Sequence, residues 1–160
     1  MAPASGAEGG PGEECLVRVF CDADVLIAGA PSTTGASHIL LQLSELTLID
    51  CVSSAVAIAE AERNIAAKLP AASSAFRKIL GAAVDVVPEA TSSLKQNLAG
   101  QAHPKDLPIL AAAVASGADF FTTFNVRHYQ KRTAMPIVVQ PRRVVAAIRS
   151  LLGRLSTEAK

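Results

Sequence analysis

The sequence predicts an α/β protein: a parallel sheet with helices on both faces. Short apolar runs rich in β-branched and aromatic residues recur along the chain, and stretches with helical spacing separate most of them. That alternation is the pattern of a parallel sheet with crossover helices. Polar residues, acids above all, follow the ends of several strand-like runs, where α/β sheets bind their ligands.

The first strand covers roughly 16–21, and Asp22 and Asp24 follow it. In "STTGASHILLQLSEL", Thr34 or Ser37 would cap a helix whose apolar positions are Ile39, Leu40, Leu43 and Leu46. "TLIDCVS" reads as the second strand. "SSAVAIAEAERNIAAKL" is a helix opened by Ser53 or Ser54 and stopped by Pro70. "ASSAFRKILGAA" is a helix ending near Gly81, and "VDVVP" is a short strand. "EATSSLKQNLAG" is a helix ending at Gly100. A loop and an Ala-rich helix follow in "HPKDLPILAAAVASGA", with Gly117 at the end. "DFFTTF" and "PIVVQ" are strands, and "PRRVVAAIRSLLGRL" is a last helix with Pro141 near its first turn.

Composition removes several function classes. The chain has 160 residues, half of them hydrophobic, and a mean hydropathy of +0.33, which suits one domain with a substantial core. The expected layout is a flexible tail over 1–14, a single domain over 15–155 and a short tail over 156–160. No run reaches about 18 apolar residues, so no membrane span is indicated. "MAPASGAEGGPGEE" lacks the basic and apolar regions of a secretory signal. A net charge of +1 gives no global attraction for nucleic acid, so any basic surface is local. Cys15, Cys21 and Cys51 form no CxxC pair. They read as small hydrophobes in a reducing, cytoplasmic compartment, not as a zinc site.

The acids carry the chemistry. Asp22 and Asp24 follow the first strand, Glu60 and Glu62 lie on the helix after the second, and Asp106 opens a helix. Thr123 and Asn125 follow "DFFTT". Each has a structural explanation by itself: turn, cap or solvated helix face. Together they bring carboxylates and amides from distant segments to one sheet edge. Clustered carboxylates repel unless neutralised, and an all-oxygen set suits Mg²⁺ or Mn²⁺. A divalent ion so held can bind a phosphate oxygen and lower the pKa of an attacking water. Periodicity does not choose between the glutamates: on the stripe Ile58, Ala61, Ile65 and Leu69, Glu62 lies nearer the apolar face than Glu60. Asp119 precedes a strand and reads as structural.

These segments resemble the PIN-domain ribonucleases, a family that includes the VapC toxins of toxin–antitoxin pairs. "VFCDADVLIAG" is similar to the opening strand-plus-Asp element, with Ala23 and Asp24 in place of the usual Thr and Asn. "SSAVAIAEAERNI" resembles the Ser-then-Glu helix and puts the family's acid on Glu60. "HPKDLPILAAAVASGADFFTTFNVRHY" is the strongest match: an Asp-led apolar helix, then a strand ending in Thr-x-Asp or Thr-x-Asn and an aromatic. The resemblance covers about 17–140. It implies a three-layer α/β/α sandwich with Asp22, Glu60 and Asp106 as metal-binding acids. It further implies Asn125 as a fourth catalytic residue and Thr123 as an orienting one. Mg²⁺ or Mn²⁺ would activate water against an RNA phosphodiester, and the protein would be a toxin with a cognate antitoxin. Asn125 departs from the common Asp: it keeps a carbonyl ligand and removes a charge, which Asp24 or an inward-pointing Asp119 would restore.

Local basic charge follows the site. Arg127, Lys131 and Arg132 are the expected RNA-binding residues, with Tyr129 placed to stack on a base. His103 and His128 read as surface residues. The stripe Val144, Val145, Ile148, Leu151 and Leu152 would pack on the sheet or support a homodimer. Two other readings stand beside the ribonuclease. One is a PIN-fold RNA- or protein-binding module that cuts nothing. The other is a haloacid-dehalogenase-type phosphatase with Asp22 as nucleophile and Asp24 as general acid, suggested by Asp22-x-Asp24.

Overall fold

In the computed structural model, residues 16–158 are described. Five strands form one sheet in the order β3-β2-β1-β4-β5, and every neighbouring pair is parallel. The strands are β1 (Arg18–Cys21), β2 (Asp50–Ser54), β3 (Asp85–Val87), β4 (Phe120–Thr122) and β5 (Ile137–Val139). The helices are α1 (Ala23–Gly29), α2 (Ala36–Glu45), α3 (Ala55–Lys68), α4 (Ser73–Ala83), α5 (Ser92–Asn97), α6 (Leu107–Ala115) and α7 (Pro141–Glu158). Helices α1 to α4 and α7 pack on one another, whereas α5 packs on α6 and α6 on β2. The fold is the expected three-layer α/β/α sandwich.

The strand order decides where a site forms. The chain moves outward from β1 through β2 to β3, then crosses back to lay β4 on the other side of β1. The carboxyl ends of β1 and β4 are therefore the switch point, where a crevice opens in a doubly wound sheet. Central strands explain the apolar runs: Val19, Phe20, Cys21 and Phe121 have no exposed surface. The rings of Phe20 and Phe121 meet edge to face at 5.4 Å. Truncating either to Ala would cost about 3–5 kcal/mol. Helix α6 buries Ala111, Ala112 and Ala113, small side chains that let it approach the sheet closely.

Several boundaries differ from the sequence reading. Residues 23–29 form a two-turn helix to which the sequence reading assigns no element; its N-cap is Asp22, whose side chain accepts from the Ala23 amide. Helix α2 is capped by neither Thr34 nor Ser37 but by Gly35, at φ 98°, a conformation that favours glycine. Ser54 caps α3, one of the two expected residues. Helix α4 continues through Gly81 to Ala83. Helix α7 reaches Glu158, so the segment expected as a tail from 156 begins as helix. The tail over 1–14 and Cys15 lie outside the described residues, and Cys21 and Cys51 are free and buried. Val144 is fully buried on α7, while Leu151, Leu152 and Leu155 are more than half exposed. Among the described residues, no helix is long and apolar enough to cross a membrane.

Candidate active site

Asp22 stands at the end of β1, which continues its pairing with β4 through Asp22 N–H to Thr122 O at 3.0 Å. Its carboxylate is buried, and both oxygens accept hydrogen bonds. Oδ1 accepts from the Ala23 amide at 2.8 Å; Oδ2 accepts from Thr123 Oγ1 at 2.9 Å and from the Tyr129 hydroxyl at 3.0 Å. Capping and convergence are thus both true of Asp22, on different oxygens. Burial pushes its pKa up to about 6, with the neighbouring Asp24 adding to the rise. The bonds from Ala23, Thr123 and Tyr129 oppose that rise.

Asp24 follows on the first turn of α1. Its Oδ2 accepts from the Phe124 amide at 3.0 Å and from Asn125 Nδ2 at 3.2 Å. Its Oδ1 is buried with no partner among the described residues. Its pKa is raised, chiefly by burial. Asp24 and Asn125, from the two strand-end elements, therefore lie side by side. Asp119 does not point into this region: at the amino end of β4, its carboxylate accepts from the Arg18 amide at 2.8 Å.

One small polar cleft of about 60 Å³ gathers Asp22, Asp24, Glu60, Asp106 and Asn125, with Ala23, His128 and Tyr129. Of the two glutamates on α3, Glu60 lines it. Glu62 faces the other way, 3.7 Å from Arg77 on α4. The buried stripe of α3 is Ala57, Ala61 and Ile65, with Leu69 half exposed, so the helix is rotated from the apolar face read in the sequence. Asp106 occupies the N-cap position of α6 but makes no capping bond, so capping does not account for it. None of the four cleft acids forms an ion pair among the described residues.

The cleft opens into a wider cavity of about 470 Å³ lined by Glu60, His103, Lys105, Asp106, Asn125 and His128. Arg127, Lys131 and Arg132 line neither space. Lys131 Nζ is turned onto the carbonyl of Thr133, and the Arg132 amide donates to Gln101 Oε1. Lys105, His103 and His128 line the wider cavity instead; the sequence reading takes the two histidines for surface residues. Tyr129 also differs from expectation. It is 7% exposed, its ring packs edge to face on Phe121 at 4.7 Å, and it cannot stack on a base. Burial and the nearby Asp22 and Asp106 charges push its pKa up, so the hydroxyl stays protonated and donates to Asp22. An aromatic after a strand-end Asn was its only signal in the sequence.

The donors fit a hard cation in kind: four carboxylates and a carboxamide, all oxygen, with one buried oxygen unpartnered. Among the described residues, no three His, Cys, Asp or Glu side chains are placed so that together they could hold a metal ion. Mg²⁺ needs no such cage, since it keeps several waters and binds through one or two carboxylates plus substrate phosphate.

No family model matches the chain, and no curated protein matches it. Among solved structures, it is similar to a chain of the crystal structure of VapBC2 from Rickettsia felis bound to a DNA fragment from their promoter. The TM-score is 0.59 at 15% identity, covering 77% of this chain and 98% of that one. At that identity the likeness is one of fold: the chain has a PIN-like three-layer α/β/α architecture.

Proposed function

We propose that this protein is a metal-dependent ribonuclease that hydrolyses RNA phosphodiester bonds at the acid cleft. The observation that carries this reading is the convergence of Asp22, Asp24, Glu60 and Asp106 on one cleft at the switch point, with no ion pair to neutralise them. Asp22, Glu60 and Asp106 would hold Mg²⁺ or Mn²⁺, with Asn125 as a further oxygen donor. When bound, the ion supplies Lewis acidity toward a phosphoryl oxygen and offsets the carboxylate repulsion. The chain's own residues do the rest. Thr123 and Tyr129 fix the Asp22 carboxylate from two sides. Asp24 fixes Asn125 and the Phe124 amide. Lys105 puts a positive charge on the approach, where an RNA backbone needs it, beside the hydrogen-bonding rings of His103 and His128.

The PIN-like fold and the likeness to a VapBC2 chain support a toxin with an antitoxin partner. Leu151, Leu152 and Leu155 on α7 offer such a partner, or a second copy, an apolar surface. The phosphatase reading needs a lysine beside Asp22 and Asp24. None lines that cleft, and Lys105 lines only the outer cavity.

The test is RNA cleavage by purified protein with Mg²⁺ or Mn²⁺, against a chelated control and an Asp22→Asn variant. Metal-dependent cleavage that vanishes in the variant is expected. No cleavage of any RNA, with no heat of metal binding, would leave the fold as a binding module.

A further inference from the structure

Helix α7 carries more apolar surface than this domain covers. It starts at the carboxyl end of the sheet, directly after β5, and packs on α2 and β4 as it runs back. Its 18 residues extend about 27 Å, whereas β4 and β5, of 3 residues each, extend about 10 Å. The helix therefore overruns the amino end of the sheet. Val144 lies in the core and Ile148 packs against it, but every residue from 149 to 157 is exposed. The same helical face continues through the overrun as Leu151, Leu152 and Leu155. Helix α2 starts beside α7, since Gly35, Ala36, Gln140 and Arg142 line one cavity, and the two helices pack side by side. It ends level with Leu151 and leads through Leu46 and Leu48, each at least 60% exposed, into β2. These five exposed leucines lie at the amino end of the sheet, away from the acid cleft. Apolar side chains grouped in this way mark an interaction surface.

Charge selects what covers it. Helix α7 carries four arginines and, at its last residue, one glutamate. Helical spacing sets Arg143 and Arg154 along one edge of the apolar face, and Arg142 and Arg149 along the other. All four are exposed. In a two-fold pair of this helix, either edge would meet the other copy's arginines, and like charges at flanking positions disfavour the pair. The exposed part of the face is two turns long and adjoins a loop that begins at exposed Glu45, which suits a protein helix better than an anionic bilayer. We propose that the α7 overrun docks an amphipathic helix of a separate protein chain. Its apolar residues would meet the leucines, and Asp or Glu at its flanks would meet Arg149 and Arg154. Because the surface lies at the far end of the sheet, the docked chain leaves the acid cleft open. The surface does not depend on the ribonuclease reading.

The test uses the whole protein and two synthetic helical peptides with leucines at i, i+3, i+4 and i+7, one flanked by Glu and the other by Lys. In NMR spectra the Glu peptide should shift the backbone amides of Leu151, Leu152 and Leu155, and the Lys peptide should not. Added salt should weaken the binding. Leu152→Ser, at an exposed position, should weaken it several-fold and keep the fold. Arg149→Glu combined with Arg154→Glu should reverse the preference to the Lys peptide. No shift at these leucines with the Glu peptide, or equal binding of the two peptides, would overturn the proposal. So would a dimer in sedimentation that Leu152→Ser dissolves, or binding to phosphatidylserine vesicles that Leu152→Ser removes, for then a second copy or a bilayer covers the face. RNA cleavage with Mg²⁺ or Mn²⁺ should be unchanged in the peptide complex, and cleavage lost on binding would overturn the open cleft. If the Glu peptide binds but no RNA is cut with or without it, the ribonuclease reading fails and the docking surface stands.

Discussion

The two ends of the same sheet treat their carboxylates in opposite ways. At the amino end, Asp50 receives Arg18 Nε at 2.7 Å and Asp119 receives the Arg18 amide at 2.8 Å. Arg18 also reaches the Ser116 carbonyl at 2.7 Å, so one cation ties the starts of β1 and β2 to the turn before β4. At the carboxyl end, four carboxylates share a cleft, and none of them is paired with a cation among the described residues. The first arrangement stabilises the fold. The second costs stability, because burial and mutual repulsion raise Asp22 and Asp24 above the ordinary carboxylate range. Carboxylates buried together at such a cost mark the carboxyl end as the candidate functional site.

The sharpest break of this contrast is Asp22→Asn. Activity should fall by on the order of a thousandfold or more, because Lewis-acid stabilisation is worth several kcal/mol. Stability should move the other way. Asp22 binds its proton more tightly in the fold, at about 6, than in the unfolded chain, at 3.8. Its stabilising protonation is therefore complete below 3.8 and lost as pH rises through 6. In metal-free protein, the variant should exceed wild type by on the order of 2–3 kcal/mol at pH 7.5, and the gap should close toward pH 4. Denaturant melts at both pH values check this; a variant less stable at pH 7.5 would show Asp22 to be structural.

The same logic makes metal a pH-dependent stabiliser. Mg²⁺ or Mn²⁺ should raise Tm clearly at pH 7.5 and little at pH 5, where Asp22 holds its proton. An equal rise at both would move the ion away from Asp22.

The glutamates of α3 give a smaller test. Glu60→Gln should lower cleavage by on the order of a hundredfold. Glu62→Gln should leave it within about threefold and cost under about 1 kcal/mol, since its pair with Arg77 is loose and exposed. Kinetics on the two variants, measured side by side, decide the matter. The smallest effect belongs to the amino end. Arg18→Ala should cost about 1 kcal/mol in a denaturant melt, discounted for the exposure of the pair, and leave kcat unchanged.

The sequence by itself determined the layers and the strands, because buried parallel strands and amphipathic helices write their periods into the chain. All five strand runs appear where "VRVFC", "TLIDCVS", "VDVVP", "DFFTTF" and "PIVVQ" placed them. It also brought Asp22 and Asn125 to one edge, since a strand's end fixes where the next residues point, and Asp106 with them, since it opens the helix that leads back into β4. It could not read α1, which is too short for a period, nor the Gly35 cap, where Thr34 and Ser37 looked better. Periodicity left Glu60 and Glu62 open and only the resemblance pointed to Glu60; the tertiary structure puts Glu60 on the cleft by rotating α3 so that Ala57 faces inward and Leu69 does not. It alone turned Lys131 away from the cleft and closed Tyr129 over Asp22. It also set Asp24 against Asn125 across 101 residues. Those outcomes depend on how elements pack, and local pattern carries no record of which partner a side chain will meet.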